Sequence, residues 1–234
     1  VKNEPLLLAF HQMGGAPQVF TPLSKTLGSS VEFAAVDYGS AMPLTDAGAV
    51  SLLRDLDRLL DGVAAEIKPE RRVLLLGYSM GALVANRFAS SFSHLRIEAQ
   101  LVLSMVSPQV LRTRGTAGLS LIESDIELLA VIESRYGRLP EEIRSEPDLV
   151  CQVLRAVRRD ARLLEALAKD LRTPAVPMLT EVIWGQRDQS LDRSDLEAWA
   201  SRPGDRLIEC DAPHLILSSA VGLSLVAERI SDLL

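Results

Sequence analysis

The chain has 234 residues, 47% of them apolar and 24% charged, with a net charge of −6 and a pI near 5.2. A length of this order suits one α/β domain with a sizeable buried core. The acidic balance argues against nucleic acid as the main partner, and no apolar run approaches the roughly 18 residues a membrane span needs. The opening VKNEPLLLAF carries a six-residue apolar run, too short for a secretory signal. Cys151 and Cys210 form no disulfide or metal spacing, so a reducing cytoplasm is the expected compartment. A monomer is expected, since no exposed apolar segment stands out.

In chain order, Leu6–His11 reads as a buried strand that breaks at Met13-Gly14-Gly15-Ala16-Pro17. A helix is expected over Val19–Leu27 and a strand over Val31–Tyr38. Ala47–Ile67 carries Val50, Leu53, Leu56, Leu60, Val63 and Ile67 at helical spacing, and Pro69 ends it. A strand over Val73–Leu76, a helix over Ala82–Phe92 and a strand over Gln100–Val106 follow. Alternating strands and helices predict a mostly parallel sheet covered on both faces. From about 112 to 172 no strand is expected. Ile122–Tyr136, Pro140–Ser145 and Pro147–Leu171 read as helices, a helical insertion rather than a second domain. The alternation resumes with Met178–Trp184 (strand), Leu191–Ser201 (helix), Arg206–Asp211 (strand) and Leu217–Leu234 (helix).

The chemistry concentrates at Val73–Gly81, VLLLGYSMG. A strand running into Gly77-Tyr78-Ser79-Met80-Gly81 and then a helix is the G-x-S-x-G turn, which holds its serine strained and clear of the sheet. Strand and helix crowd together there, so the positions two residues either side must be small. A serine hydroxyl needs a base. Of the three histidines, His94 lies in a polar stretch and is expected on the surface. His11 ends the first strand, and His214 follows the last one. Ligands gather beyond the carboxyl ends of parallel strands, which makes His214 the base for Ser79. The imidazole needs a carboxylate. Asp188 follows a strand and precedes the final one. Asp192 and Asp195 are rivals better suited to serving a helix N-terminus, and Asp211 lies on the histidine's own strand end. The order Ser79, Asp188, His214 is that of an α/β-hydrolase. Oxyanion N–H donors are expected from Met80 and from the glycine-bearing loop Gln12-Met13-Gly14-Gly15. The same loop, with Asp37 downstream, faintly suggests a dinucleotide site, but G-x-G-x-x-G is absent.

These residues resemble the stand-alone type II thioesterases of polyketide and nonribosomal peptide pathways, α/β-hydrolases with a helical lid. The resemblance rests on Gly77-Tyr78-Ser79-Met80-Gly81-Ala82, on Gly185 to Asp188 with Leu196 and Trp199, and on His214. The insertion adds Leu139-Pro140-Glu141-Glu142, Pro147-Asp148-Leu149, Val157-Arg158-Arg159-Asp160 and Leu163-Leu164-Glu165. It implies nucleophile Ser79, acid Asp188, base His214 and oxyanion N–H groups from Met13 and Met80, with His11, Gln12, Gly14 and Tyr78 beside the substrate. It further implies hydrolysis of acyl groups from the phosphopantetheine arm of an acyl carrier protein or peptidyl carrier domain. No cofactor is implied; the arm belongs to the substrate. The first loop departs from the family's usual Pro-x-Ala-Gly-Gly, and Asp37-Tyr38-Gly39-Ser40 replaces the usual Pro-Gly-Arg, which bears on substrate choice.

Carrier domains are acidic, as is this chain, so docking needs a basic patch. Arg155, Arg158, Arg159 and Arg162, spaced for one helix face, are the expected patch; a solvated charged face is the plainer alternative. A carboxylesterase or an acyltransferase would share the chemistry up to the acyl-serine. A non-catalytic binding protein on the same scaffold would have no use for the three residues in this order.

Overall fold

The computed structural model describes residues 4–42, 48–116, 118–172 and 178–234. Six strands form one sheet: β1 (Leu6–Phe10), β2 (Glu32–Val36), β3 (Val73–Tyr78), β4 (Ile97–Leu103), β5 (Leu179–Gly185) and β6 (Arg206–Cys210). Their order is β2-β1-β3-β4-β5-β6, and every pairing is parallel. The helices are α1 (Thr21–Leu27), α2 (Tyr38–Ala41), α3 (Ala49–Ala65), α4 (Met80–Ser91), α5 (Pro108–Arg114), α6 (Asp125–Tyr136), α7 (Glu141–Arg144), α8 (Pro147–Lys169), α9 (Arg193–Leu196) and α10 (Ala220–Leu233).

Both faces of the sheet are covered, which is why its strands are apolar throughout rather than alternating. Leu6, Leu8 and Phe10 of β1 and Val73 and Leu75 of β3 point into one core, with α3, α4 and part of α8. Leu7, Ala9, Leu74, Leu76 and Tyr78 point into the other, beneath α1 and α10. Strand order reverses between β1 and β3, so the crevice beyond their carboxyl ends is the switch point of the sheet. Among the described residues no helix is long and apolar enough to cross a membrane.

Several boundaries differ from expectation. The second strand stops at Val36, because Tyr38 turns into α2 and its hydroxyl donates to the His11 carbonyl. The first helix after β4 begins at Pro108. Ser107 caps α5 by accepting from the Val110 N–H at 3.4 Å, with proline at the first helical position. The expected helix over Leu191–Ser201 shrinks to α9, with Asp192 and Asp195 closing a capping box at its start. Ala47, the expected start of α3, lies outside the described residues. Leu119, Leu128, Ile132, Leu154, Val157 and Ala161 give the insertion a small core of its own. Met13 packs against both this core and the main one.

Candidate active site

The turn after β3 explains its own sequence. Ser79 has φ +50, a region that costs a non-glycine residue strain and concentrates at functional positions. A Cβ on Gly77 would stand 2.2 Å from the Ala82 Cα, and one on Gly81 would stand 2.1 Å from the Phe10 carbonyl oxygen. Neither position tolerates a side chain, because α4 starts flush against β3 and β1. The turn places Ser79 at the N-cap of α4, with Met80 at the first helical position.

Three strand ends then meet. His214 Nε2 lies 3.2 Å from the Ser79 Oγ, and its Nδ1 lies 2.6 Å from Asp188 Oδ2. His214 and Asp188 are both buried. The other Asp188 oxygen accepts from the Ser190 hydroxyl at 2.6 Å and from the Ser190 N–H at 2.9 Å. Burial pushes the Asp188 carboxyl up, but hydrogen bonds and charge from His214, with the two bonds from Ser190, outweigh it and hold the group below the usual carboxylate range. The carboxylate is therefore ionised, accepts from Nδ1–H, and leaves Nε2 free to take the serine proton. Ser190 is a member of this constellation that sequence reasoning missed; it lies two residues past Asp188, where an Asx-type turn was the available signal.

Two cavities open onto this dyad of serine and imidazole. One, of 510 Å³, runs between α5, α6 and the ends of β4 and β5, past Val106, Leu111, Leu164 and Leu191. The other, of 130 Å³, runs under α6, the loop that follows it and α8, past Ile132, Leu139 and Val157. Met13, Ser79, Tyr136 and His214 line both. Tyr136, at the end of α6, places its ring 4.7 Å from the His214 ring. It too was missed, since only the tertiary fold brings α6 over the last strand.

The other expected site residues divide. Met13 and Met80 border the serine, and Gln12 and Gly14 line the smaller cavity. His11 does not line either cavity: it is fully buried, stacked on Tyr38 at 4.0 Å, with Nδ1 2.9 Å from the Gln12 carbonyl oxygen. Tyr78 is likewise buried and points into the opposite core toward Phe20, because alternation along β3 turns it away from the cavities. Neither lines the two cavities at Ser79.

The expected arginine stripe is not a solvent face. Arg159 is 4% exposed and pairs with Asp160 at 2.7 Å. Arg158 is committed to Asp125 at 2.6 Å and to the carbonyls of Ile122 and Glu123. Helix α8 packs on both sides, against α3 and against the insertion's own core, so only Arg155 of the four is exposed. His94 is exposed, as expected. Asp195 is buried against Arg114, and Asp211 pairs with Arg187 on the surface.

A family model described as "Thioesterase domain" matches residues 5–232. No curated protein matches in sequence. Among solved structures, the chain is similar to RedJ, a thioesterase from the prodiginine pathway of Streptomyces coelicolor, at 21% identity and TM-score 0.75. That likeness covers 98% of this chain and 90% of the other. It is similar to BorB, a type II thioesterase from the borrelidin cluster, at 23% identity and TM-score 0.78, over 99% and 93% of the two chains. ClbQ from the colibactin NRPS/PKS pathway aligns at 16% identity and TM-score 0.78, over 98% of each.

Proposed function

The chain belongs to the thioesterase domain family, and on that premise we propose that it hydrolyses acyl thioesters carried on the phosphopantetheine arm of a carrier protein, through an acyl-Ser79 intermediate. The observation that carries this reading is the relay Ser79–His214–Asp188 placed where two cavities meet. One cavity suits an acyl chain, and the other gives a thiol-bearing arm its own approach to the same carbonyl.

In this mechanism Nε2 of His214 takes the Ser79 proton as Oγ attacks the thioester carbon. The oxyanion is held by the N–H groups of Met80 and Met13. His214 returns the proton to the departing thiolate sulfur, water enters the vacated side, and a second proton relay frees the acid and restores Ser79. The groups required are all side chains and N–H groups of this chain, so the reaction calls for no cofactor. The helical insertion acts as a lid on one α/β-hydrolase unit. The cytoplasm, where carrier-bound synthesis proceeds, is the proposed compartment, and the protein acts as a monomer.

For the carrier, the α8 stripe gives way to the cavity mouths. Arg135 and Arg138 are exposed, flank Tyr136, and line the larger and the smaller cavity respectively. They are placed to meet an anionic arm and an acidic carrier. The similarity to thioesterases of prodiginine, borrelidin and colibactin pathways supports a biosynthetic role of editing or product release.

The test is intact-mass analysis of an acyl-loaded carrier protein mixed with wild type and with Ser79→Ala. Loss of the acyl mass with wild type alone is expected. Retention of the acyl group by every loaded carrier, while a small ester is still cleaved, would move the activity to free esters.

A further inference from the structure

The loop after β1 is gripped by groups that take no part in the proton relay. The Gly15 N–H donates to the Gln12 carbonyl at 3.0 Å, closing a turn in which Gly14 has φ +67. The same Gln12 oxygen receives the Nδ1–H of His11 at 2.9 Å. His11 is itself held by its stacking on Tyr38 and by the Tyr38 hydroxyl, which donates to the His11 carbonyl. From the other side, the Gly14 N–H donates to Asp160 Oδ2 at 2.8 Å, across 146 residues of chain. The second Asp160 oxygen takes Arg159 Nε at 2.7 Å, and Arg159 reaches on to the Gly39 carbonyl at 2.5 Å. Asp160 is fully buried on α8, the long helix of the insertion.

Peptide geometry gives these contacts a consequence. In a trans peptide the N–H points opposite to the C=O, and no peptide among the described residues is cis. Two donors fix the direction of the Gln12 carbonyl. The Met13 N–H, on the opposite edge of that same peptide plane, is thereby fixed in direction as well, and Met13 and Ser79 line the same cavities. The Asp160 bond fixes the next peptide plane and so the other end of the residue. We infer that His11 and Asp160 are positioning residues that aim the Met13 N–H at the oxyanion, so that α8 must be seated on the loop for the site to be competent.

The inference rests on the reading of Met13 and Met80 as oxyanion donors. It assigns to two buried polar groups a reason to be buried: each satisfies one backbone atom of a four-residue loop that otherwise depends on a single turn bond. Burial keeps the His11 pKa below its ordinary value, which preserves the neutral ring with its proton on Nδ1. It also makes the insertion more than a cover, since a displaced α8 withdraws the acceptor that orients Gly14.

The test separates aim from packing. His11→Phe keeps a ring to stack on Tyr38 and removes the donor; His11→Asn keeps a donor near the Nδ1 position and removes the ring. Each is assayed on 4-nitrophenyl butyrate and on an acyl-carrier substrate, alongside Asp160→Ala and Asp160→Asn. Affinity for phenylboronic acid, whose tetrahedral adduct places an oxygen in the oxyanion site, is read in parallel. The expected result is a loss in kcat of about tenfold to hundredfold for His11→Phe and Asp160→Ala. KM changes by less than about twofold, and boronic acid binding weakens by the same factor as kcat. His11→Asn and Asp160→Asn recover most of the loss. Wild-type kcat and boronic acid affinity in His11→Phe would overturn the inference, as would His11→Asn being the more damaged of the two. If Asp160→Ala fails to fold, the His11 pair decides. Wild type that binds the boronic acid and cleaves the ester but not the carrier thioester would overturn the carrier reading and leave this test intact. Wild type that neither binds the boronic acid nor cleaves the ester would overturn both.

Discussion

Tyr136 lies against the His214 imidazole: its ring centroid is 4.7 Å from that of His214, with the planes inclined at 50°. Tyr136 thus lines both cavities and lies against the proposed base. Replacing Tyr136 by Ala merges the two cavities at the serine. Each methylene a pocket can sense is worth about 1–3 kcal/mol of discrimination, so the variant is expected to flatten the chain-length profile by roughly tenfold. A series of acyl thioesters of increasing length, compared by kcat/KM, checks this; an unchanged profile would show that Tyr136 does not set length.

Asp188 has two supports, His214 on one oxygen and Ser190 on the other. Asp188→Asn leaves the imidazole in the wrong tautomer, and kcat falls by on the order of 10⁴. Ser190→Ala removes one charge-assisted bond, a contribution of about 1.5–3 kcal/mol in general. Since the Ser190 N–H still donates, the expected loss in kcat is smaller, roughly tenfold. The Asp188 carboxyl also moves up toward its ordinary range. Steady-state kinetics, with the Asp188 titration followed by NMR, tests both.

The buried His11 makes stability depend on pH. Burial lowers its pKa below 6.5, with the backbone bond to Gln12, Asp160 and Asp37 acting the other way and Arg159 adding to the depression. Above about pH 6.5 the ring is neutral in folded and unfolded chain alike, and its contribution is fully present. As pH falls, the unfolded chain takes up the proton first, and stability is lost down to the folded pKa, by up to about 1.4 kcal/mol per pH unit. Urea midpoints measured between pH 7.5 and 5 are expected to fall less steeply in His11→Asn than in wild type. Parallel slopes would place the depression elsewhere.

Gly81→Ala drives a Cβ to 2.1 Å from the Phe10 carbonyl oxygen and 2.6 Å from that of His11. Backbone atoms of a central strand cannot yield as a flexible side chain would, so the cost is at least about 3 kcal/mol. A lower melting temperature with loss of activity is expected. A stable and active variant would mean that α4 shifts freely on the sheet, against its close fit to β1 and β3.

If Arg135 and Arg138 meet the carrier, reversing both to Glu raises KM for an acyl-carrier substrate by about tenfold at low salt and leaves 4-nitrophenyl butyrate turnover unchanged. The effect shrinks as salt is added. An equal effect on both substrates would assign the arginines to the fold or the acyl cavity instead.

The local chemistry of the chain was enough to specify its strand and helix alternation, the turn at Ser79 and the meeting of Ser79, Asp188 and His214. Those features depend on spacing: period and length for the elements, glycines two residues either side of Ser79, and strand ends for Asp188 and His214. Spacing also misled. Arg155, Arg158, Arg159 and Arg162 recur as a surface stripe would, yet α8 is sandwiched, and two of the four are spent on Asp125 and Asp160. His11 and Tyr78 sit next to site residues in sequence, but a strand end can turn a side chain into the core as easily as toward the cavity. Only the tertiary structure decided which groups far apart in the chain share a hydrogen bond, as Asp160 does with Gly14, 146 residues away. Long-range pairs of this kind leave no periodic trace, because each partner is placed by the packing of its own helix or loop and not by its neighbours in the chain.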